Sequence, residues 1–516
     1  MQSSFFEFNI AVSGLFAAKN GLSVTMHNVT NMSTRGYSRQ NILQKASVPL
    51  EGTNGVGMYG TGTNVYGIGQ TRDFYLDKKY WNQESVQGEY SVKNSQLELL
   101  ETVFNEMSGS GITKTMTDFF DSLSGLTFSA DEGTYRNNVI DIATKLAADI
   151  NSYAASYEQR QSDINEEIYS TVKQINSIGD QIVSLNKQID SYEIDGSNAN
   201  DLRDQRAVLI DDLAKIVNID VKETELESGG KKMTILINGQ SFVDRYDSNK
   251  LTCIERKDKV NEDDVKGLYD ICWGSESNKL SLINMSGELK GMLDIRDGNE
   301  GVNGSLSYKG IPYYMNKLNT FVRTVAKAVN EGKYLDDTPI ESVTGHIDGY
   351  DKNGNKGGLF FTYNLGERNT TYEGLDIDYN KINASNFSVS SSLVKNPSLL
   401  ACSDSNDPDE ESNNNVILGF LNMKENDSLF KEGNVFDFIN GTISELAIDK
   451  KQAGNFDDFY TELTQTTDNQ RISVSGVSLN EEIAALVKYQ QLYQAASKMI
   501  NTIDQIYNTT INGLGV

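Results

Sequence analysis

Histidine, cysteine, tryptophan and proline are all scarce in this 516-residue chain, at two, three, two and five residues. His27 and His346 lie far apart, and Cys253, Cys272 and Cys402 are the only thiols. That leaves no ligand spacing for a zinc site, no histidine-based triad and no disulfide framework. No metal or other cofactor is expected. No uninterrupted apolar run reaches the roughly 18 residues a membrane span needs. Residues 1–18 hold an apolar stretch from Phe5 to Phe16, but no basic segment leads into it and Glu7 and Asn9 interrupt it. A secretory signal peptide is therefore not expected. Positive charge is short as well: 46 basic residues face 72 acidic ones, for a net charge of −26. Such a balance argues against wrapping nucleic acid or coating an anionic membrane. Length alone suggests about three domains of roughly 150 residues.

The acidity is not spread evenly. Residues 1–50 carry Lys19, Arg35, Arg39 and Lys45 against Glu7 alone, and residues 472–516 carry Lys488 and Lys498 against Glu481, Glu482 and Asp504. Both ends are close to neutral, so the acidity sits in the middle. Near-neutral, apolar ends suit packing, whereas an acidic middle suits water.

Apolar periodicity places helices at 3–31, 73–107, 115–127, 134–158, 158–192 and 199–217. On the first, Leu15, Leu22, Met26 and Val29 form a stripe. Within 158–192, Ile168, Ile175, Ile182 and Ile189 recur every seven residues, and Thr171, Ile178, Leu185 and Tyr192 form a second such series. That is a coiled-coil pattern. From about 219 the period changes. Met233 to Ile237 followed by Asn238-Gly239 reads as a strand entering a tight turn. Helix returns at 286–297 and 311–331, residues 336–412 read as strands and loops, and 413–471 is more helical. The segment 477–512 is a long amphipathic helix striped by Leu479, Ile483, Leu486, Tyr493, Ile500, Ile503 and Tyr507.

The predicted fold is mainly α with a β-rich insertion: paired terminal helices of coiled-coil type, a helical bundle and an outer β domain. Residues 1–70 and 472–516 form the terminal part, 71–218, 285–335 and 413–471 the bundle, and 219–284 and 336–412 the β-rich part. One apolar stripe on each terminal helix buries only one side of a pair. Further surface has to be covered by neighbouring copies, so the two stripes are the predicted assembly interface.

Other motifs have plainer explanations. Gly55 to Gly60 matches G-x-G-x-x-G, but no buried strand precedes it and no helix follows, so a hairpin loop is expected rather than a nucleotide site. Asp351 to Asn355 resembles the start of a calcium loop, yet Lys356 and Thr362 stand where Gly and Glu belong, and an Asn/Gly turn is the better reading. Cys253 and Cys272 read as buried thiols, with a disulfide as the alternative. His27 reads as a structural or interface histidine. Asn200 to Arg206 reads as a capped helix start with local charge pairs.

Several segments taken in order carry a resemblance. They are Leu22 to Asn31 closed by Gly36-Tyr37-Ser38-Arg39-Gln40, Gly60 through Asp73, Asn200-Asp201-Leu202-Arg203-Asp204-Gln205-Arg206, Gly287 through Asp297, Asp351 to Phe361, and Ser475 to Glu482 with Tyr489-Gln490-Gln491. Together they resemble the FlgK family of bacterial flagellar hook-associated proteins. The resemblance implies a non-enzymatic, extracellular structural protein of the hook–filament junction. It implies terminal helices forming an inner tube, with the bundle around them and the β domain outside. It also implies unfolded export by the flagellar type III apparatus, contacts with the hook protein and the junction protein FlgL, and a C-terminal helix held by the chaperone FlgN. Another axial protein (hook, distal rod or flagellin-like) is the alternative. An enzyme carried on such a scaffold finds no His/Glu metal pair and no Ser/His arrangement here.

Overall fold

The computed structural model describes residues 6–51, 57–104, 111–225, 231–274, 278–366, 370–407 and 413–513. Helix α1 (Phe6–Asn31) leads into a turn and then a long hairpin. Strand β1 (Gln40–Ala46) pairs antiparallel with β4 (Thr63–Gln70), and β2 (Leu50–Glu51) with β3 (Met58–Tyr59). Gly55 and Val56 of the glycine-rich motif lie outside the described residues. Its second half is hairpin strand with no helix after it, as the flanking residues led one to expect.

Four helices follow: α2 (Phe74–Phe104), α3 (Ile112–Phe128), α4 (Gly133–Glu193) and α5 (Asn200–Ile216). The segments read separately as 134–158 and 158–192 are one helix, because no proline interrupts Gly133–Glu193. Its 61 residues make it about 90 Å long at ~1.5 Å per residue. Ile168, Ile175, Ile182 and Ile189 are all buried, but Tyr192 of the second series is exposed. The stripe packs inside the chain. Asn176 Nδ2 donates to the Leu251 carbonyl at 2.8 Å. A Cβ at Gly179 would stand 2.6 Å from the Phe242 ring, so only glycine lets the sheet approach there.

Strands β5 (Ile219–Glu225), β6 (Lys231–Ile237), β7 (Gln240–Asp244) and β8 (Asp247–Ser248) form an antiparallel meander. The β6–β7 turn takes positive φ at both Asn238 (47°) and Gly239 (80°), the geometry of a two-residue hairpin. Strands β9 (Leu251–Glu255) and β10 (Tyr269–Trp273) form a second hairpin. In its register Cys253 faces Ile271 and Cys272 faces Thr252. The two thiols therefore point to opposite faces, and no disulfide joins Cys253, Cys272 or Cys402.

Helices α6 (Glu288–Asp297) and α7 (Ile311–Glu331) return to the bundle. Between 336 and 412 regular structure is sparse: β11 (Phe361–Tyr363) pairs with β12 (Phe387–Val389), and α8 (Ser391–Lys395) follows. Buried Phe360, Phe361 and Phe387 organise that region by stacking on one another and on Phe119 of α3. Then come α9 (Asn415–Asn422), α10 (Val435–Ser475) and α11 (Leu479–Asn508). Asn434 opens α10 with a capping box, accepting from Phe436 N and Asp437 N while the Asp437 side chain accepts from Asn434 N.

The fold is thus mainly α, with paired terminal helices and small sheets inserted in a helical frame. Its hydrophobic core is continuous from Tyr80 to Ala453 and joins α2–α10 with the strands from β5 onward, leaving out the β1–β4 hairpin. Among the described residues none of α1 or α11 belongs to it.

Candidate assembly interface

Helices α1 and α11 pack antiparallel. Asn28 Nδ2 donates to Glu482 Oε2 at 3.1 Å. One heptad earlier on α1 and one later on α11, Gly21 meets the ring of Tyr489. A Cβ at Gly21 would stand 2.5 Å from that ring, so the residue forms a notch for it. Ala11, Ala17, Ala18, Gly21, Val24, Thr25 and Asn28 are the buried positions of α1, and Glu482, Ala496 and Ile503 those of α11. The seam is built mainly from small and polar residues.

The striped residues read from the sequence mostly lie beside this seam. Leu15, Leu22 and Val29 are half-buried and Met26 is 57% exposed. Leu486, Ile500 and Tyr507 are half-buried, Leu479, Ile483 and Tyr493 are exposed, and Ile503 alone of that set is covered within the pair. Other large apolar groups are also in water: Phe16 at 57%, Val487 at 44%, Leu492 at 48%, Met499 at 55% and Ile506 at 54% exposed. At about 100° per residue, Leu479, Ile483 and Val487 fall on one flank of the α11 seam. Leu492, Met499 and Ile506, each seven residues apart, fall on the other. Clustered exposed apolar groups mark a contact surface.

The pair is tied to the body through polar groups. Ser38 donates to Asp204 of α5 from both its amide (2.9 Å) and its hydroxyl (2.7 Å). Arg39 donates from its amide to the Ser475 carbonyl of α10 at 2.8 Å. Its guanidinium reaches Glu482 at 2.7 Å and Glu481 at 2.6 Å, both on α11. Gln40 exchanges two hydrogen bonds with Asn28 and donates to Asp201 at 2.6 Å. The phenol of Tyr37 donates to Asn28 Oδ1 at 2.7 Å. Burial, with the charges of Asp201, Asp204 and Glu482 nearby, raises its pKa well above the ordinary value and keeps it a donor. Burial also pushes the Asp204 carboxyl up, opposed by the Ser38 hydrogen bonds and the charge of Arg72. The network runs on through Arg72, Asp77, Arg471 and Asp211 to the indole of Trp81.

The Asn200–Arg206 segment is therefore more than a capped helix start. No side chain caps α5. Asp201 and Asp204 instead hold the chain that leaves α1, Arg203 holds Glu193 and Arg206 reaches Asn186 and Glu223. Local spacing suggested pairs along one helix; burial against distant segments recruited the same charges. His27 lies 3.2 Å from Asp201 and edge-on to Tyr37, at this same junction. Asp351 accepts from the amides of Asn353 and Asn355, which makes its loop an Asx-type turn. Among the described residues no group of three or more His, Cys, Asp or Glu side chains is placed to hold a metal ion. No helix of the described residues is long and apolar enough to cross a membrane.

Residues 97–361 match the family model of the flagellar hook-associated protein FlgK helical domain. Residues 468–513 match that of the flagellar basal body rod FlgEFG protein C-terminal. The chain is 29% identical to flagellar hook-associated protein 1 of Bacillus subtilis (strain 168), covering 100% of this chain and 99% of that one. It is 24% identical to flagellar hook-associated protein 1 of Escherichia coli (strain K12), covering 98% and 99%. In fold it is similar to the flagellar hook junction protein FlgK from Burkholderia pseudomallei, with a TM-score of 0.58 at 14% identity, over 77% of this chain and 100% of that one. With a family model spanning more than half of its length and full-length relatives of one kind, the chain belongs to the FlgK family of flagellar hook-associated proteins, structural components of the bacterial flagellum.

Proposed function

We propose that this protein forms the junction between hook and filament by self-assembly through its terminal helices. One observation carries the reading: the α1–α11 seam uses small and polar residues and leaves a large apolar flank on each side of α11. A helix pair with two such flanks suits a subunit with a neighbour on either side, the head-to-tail arrangement that closes into a ring. Leu15, Leu22, Met26, Val29, Leu479, Ile483, Leu486, Tyr493, Ile500 and Tyr507 are the contact residues in this reading, and Ile503 anchors the pair itself.

The terminal pair, residues 1–70 with 472–516, is then the inner tube, while the acidic remainder faces water. Within that remainder, 219–284 and 336–412 form the outermost part, on the bundle of 71–218, 285–335 and 413–471. The partners are further copies of this chain, the hook protein on one side and FlgL on the other. Export is unfolded, through the flagellar type III apparatus, and FlgN holds the C-terminal helix beforehand. The match at residues 468–513 is common ground with rod and hook proteins, whereas the match at 97–361 supports the hook-associated assignment among axial proteins.

The test is complementation of a strain lacking the gene with the double variant Ile483→Asp/Met499→Asp, which carries one acid on each flank. The expected result is a secreted chain, hooks without filaments and filaments shed to the medium. Attached filaments and normal swimming would overturn the proposal.

A further inference from the structure

Three consecutive residues hold three different parts of the molecule. Ser38 holds α5 through Asp204, Arg39 holds the end of α10 and the first turn of α11, and Gln40 holds α1 through Asn28 and α5 through Asp201. Arg39 bridges the only break between the two long C-terminal helices, at Gly476-Val477-Ser478. Its amide bonds the Ser475 carbonyl before the break, and its guanidinium bonds Glu481 and Glu482 after it. Among the described residues no part of the hydrophobic core crosses this junction. At the break Gly476 adopts an extended conformation (φ −74°, ψ 160°) that continues neither helix, with its amide bonded to the Ile472 carbonyl at 2.7 Å.

We propose that residues 38–40 are the joint that aims the terminal helix pair relative to the body, with Arg39 as the positioning residue that sets the angle between α10 and α11. Each partner fixes a different degree of freedom. Asp204 and Asp201 fix where the chain leaving α1 sits on α5. Glu482, 2% exposed and shared between Arg39 and Asn28, fixes the start of α11 against both α1 and the joint. Arg39 itself keeps a third of its side-chain surface in water. The joint is held by hydrogen bonds and charge pairs rather than by packed apolar side chains, so it can yield without disrupting a core on either side, at the cost of unpairing the buried Glu482 carboxylate. The α1–α11 seam has its own register contacts at Gly21–Tyr489 and Asn28–Glu482, so the pair moves as a unit. The joint gives a subunit that meets two different neighbours along the axis a means to change the aim of its inner helices while keeping them paired. That use rests on the junction reading; the geometry of the joint does not.

The experiment is double-label electron spin distance measurement on the free full-length chain in a Cys253→Ser background, Cys272 and Cys402 being buried. Labels at Asp458→Cys and Lys488→Cys span the α10–α11 break. Labels at Lys19→Cys and Lys488→Cys span the pair. The variants are Arg39→Ala and Arg39→Ala/Glu482→Gln, the second removing the carboxylate that the first leaves unpaired. The expected result is at least a doubling of the width of the 458–488 distribution in both variants, with the 19–488 distribution unchanged. An unchanged 458–488 width would overturn the proposal. So would equal broadening of both distributions in the double variant, which would make Arg39 a requirement for pairing rather than for aim. Neither result depends on whether the protein assembles.

Discussion

The body and the terminal pair are both helical, but they are stabilised differently. The body buries Leu, Ile, Phe and Tyr from α2 to α10 in one core. The terminal pair buries mainly alanine, glycine, threonine, asparagine and a carboxylate, with Val24 and Ile503 as its larger buried apolar groups, and keeps Phe16, Met26, Met499 and Ile506 in water. Hydrophobic stabilisation scales with apolar area removed from water. The body therefore carries one continuous core within a single chain, whereas the pair has no share in it and leaves large apolar side chains along α11 in water. A small-residue seam sets distance and register cheaply, and the large residues beside it remain available to neighbours.

That contrast makes similar substitutions behave differently in the two regions. The largest effect is expected at Arg296, fully buried in the body, where it bonds Asp297, the Asn165 side chain and the Tyr269 carbonyl. Arg296→Ala leaves Asp297 partly unpaired in the core and should cost about 3–5 kcal/mol in denaturant unfolding. Arg39→Ala leaves the buried Glu482 carboxylate to Asn28, but outside the body's core, so its cost should fall on the terminal pair and move the unfolding of the body by about 1 kcal/mol or less. Equal costs would erase the distinction between core and joint.

Acid should weaken the body next. His346 is fully buried, donating from Nδ1 to Gly358 O (2.6 Å) and accepting at Nε2 from the Ala401 amide (2.9 Å). Since Nε2 accepts, Nδ1 carries the proton. Burial pulls its pKa from 6.5 down to about 4. The unfolded chain takes up the proton first as pH falls, so stability held above pH 6.5 is lost progressively toward pH 4. The loss should reach about 2 kcal/mol by pH 5 and about 3 kcal/mol at pH 4. Urea titrations at several pH values check it, with His346→Gln expected to flatten this part of the slope.

A smaller and strictly local effect is expected at the seam. Gly21→Val places a branched side chain where the Tyr489 ring sits. It should destabilise the pair by about 1–3 kcal/mol through overpacking. Amide exchange in α11 should quicken while the melting of the body stays unchanged. A matching loss in the body would mean that the two regions share stability after all.

Much of this architecture is legible in the sequence, and the failures have physical causes. The isoleucine series of α4 announces a long buried helix because four identical large residues recur at one period. The turn at Asn238-Gly239 is legible because few other residues tolerate positive φ twice in succession. The small-residue seam of the terminal pair is not legible in the same way. A search for Leu and Ile finds the flanks, since glycine, alanine, threonine and asparagine carry almost no hydropathy signal. Asp204 and Glu482 were visible as members of motifs, but their partners lie 166 and 443 residues away in sequence. No spacing rule encodes such pairs. Residues 336–412 read as strands and loops because short β-branched and aromatic runs alternate with turns; the structure has the short β11–β12 pair there, and the clustered phenylalanines that order the rest carry no periodicity.

The most direct test of the contrast is amide hydrogen exchange on the free chain and on the same protein within isolated hook–filament particles. In the free chain, amides of α1 and α11 should exchange at least about tenfold faster than those of α4, reflecting a lower local opening energy. In the particle they should slow to match α4, while the body stays unchanged. Full protection of α1 and α11 in the free chain, or equal exchange in both states, would contradict the account.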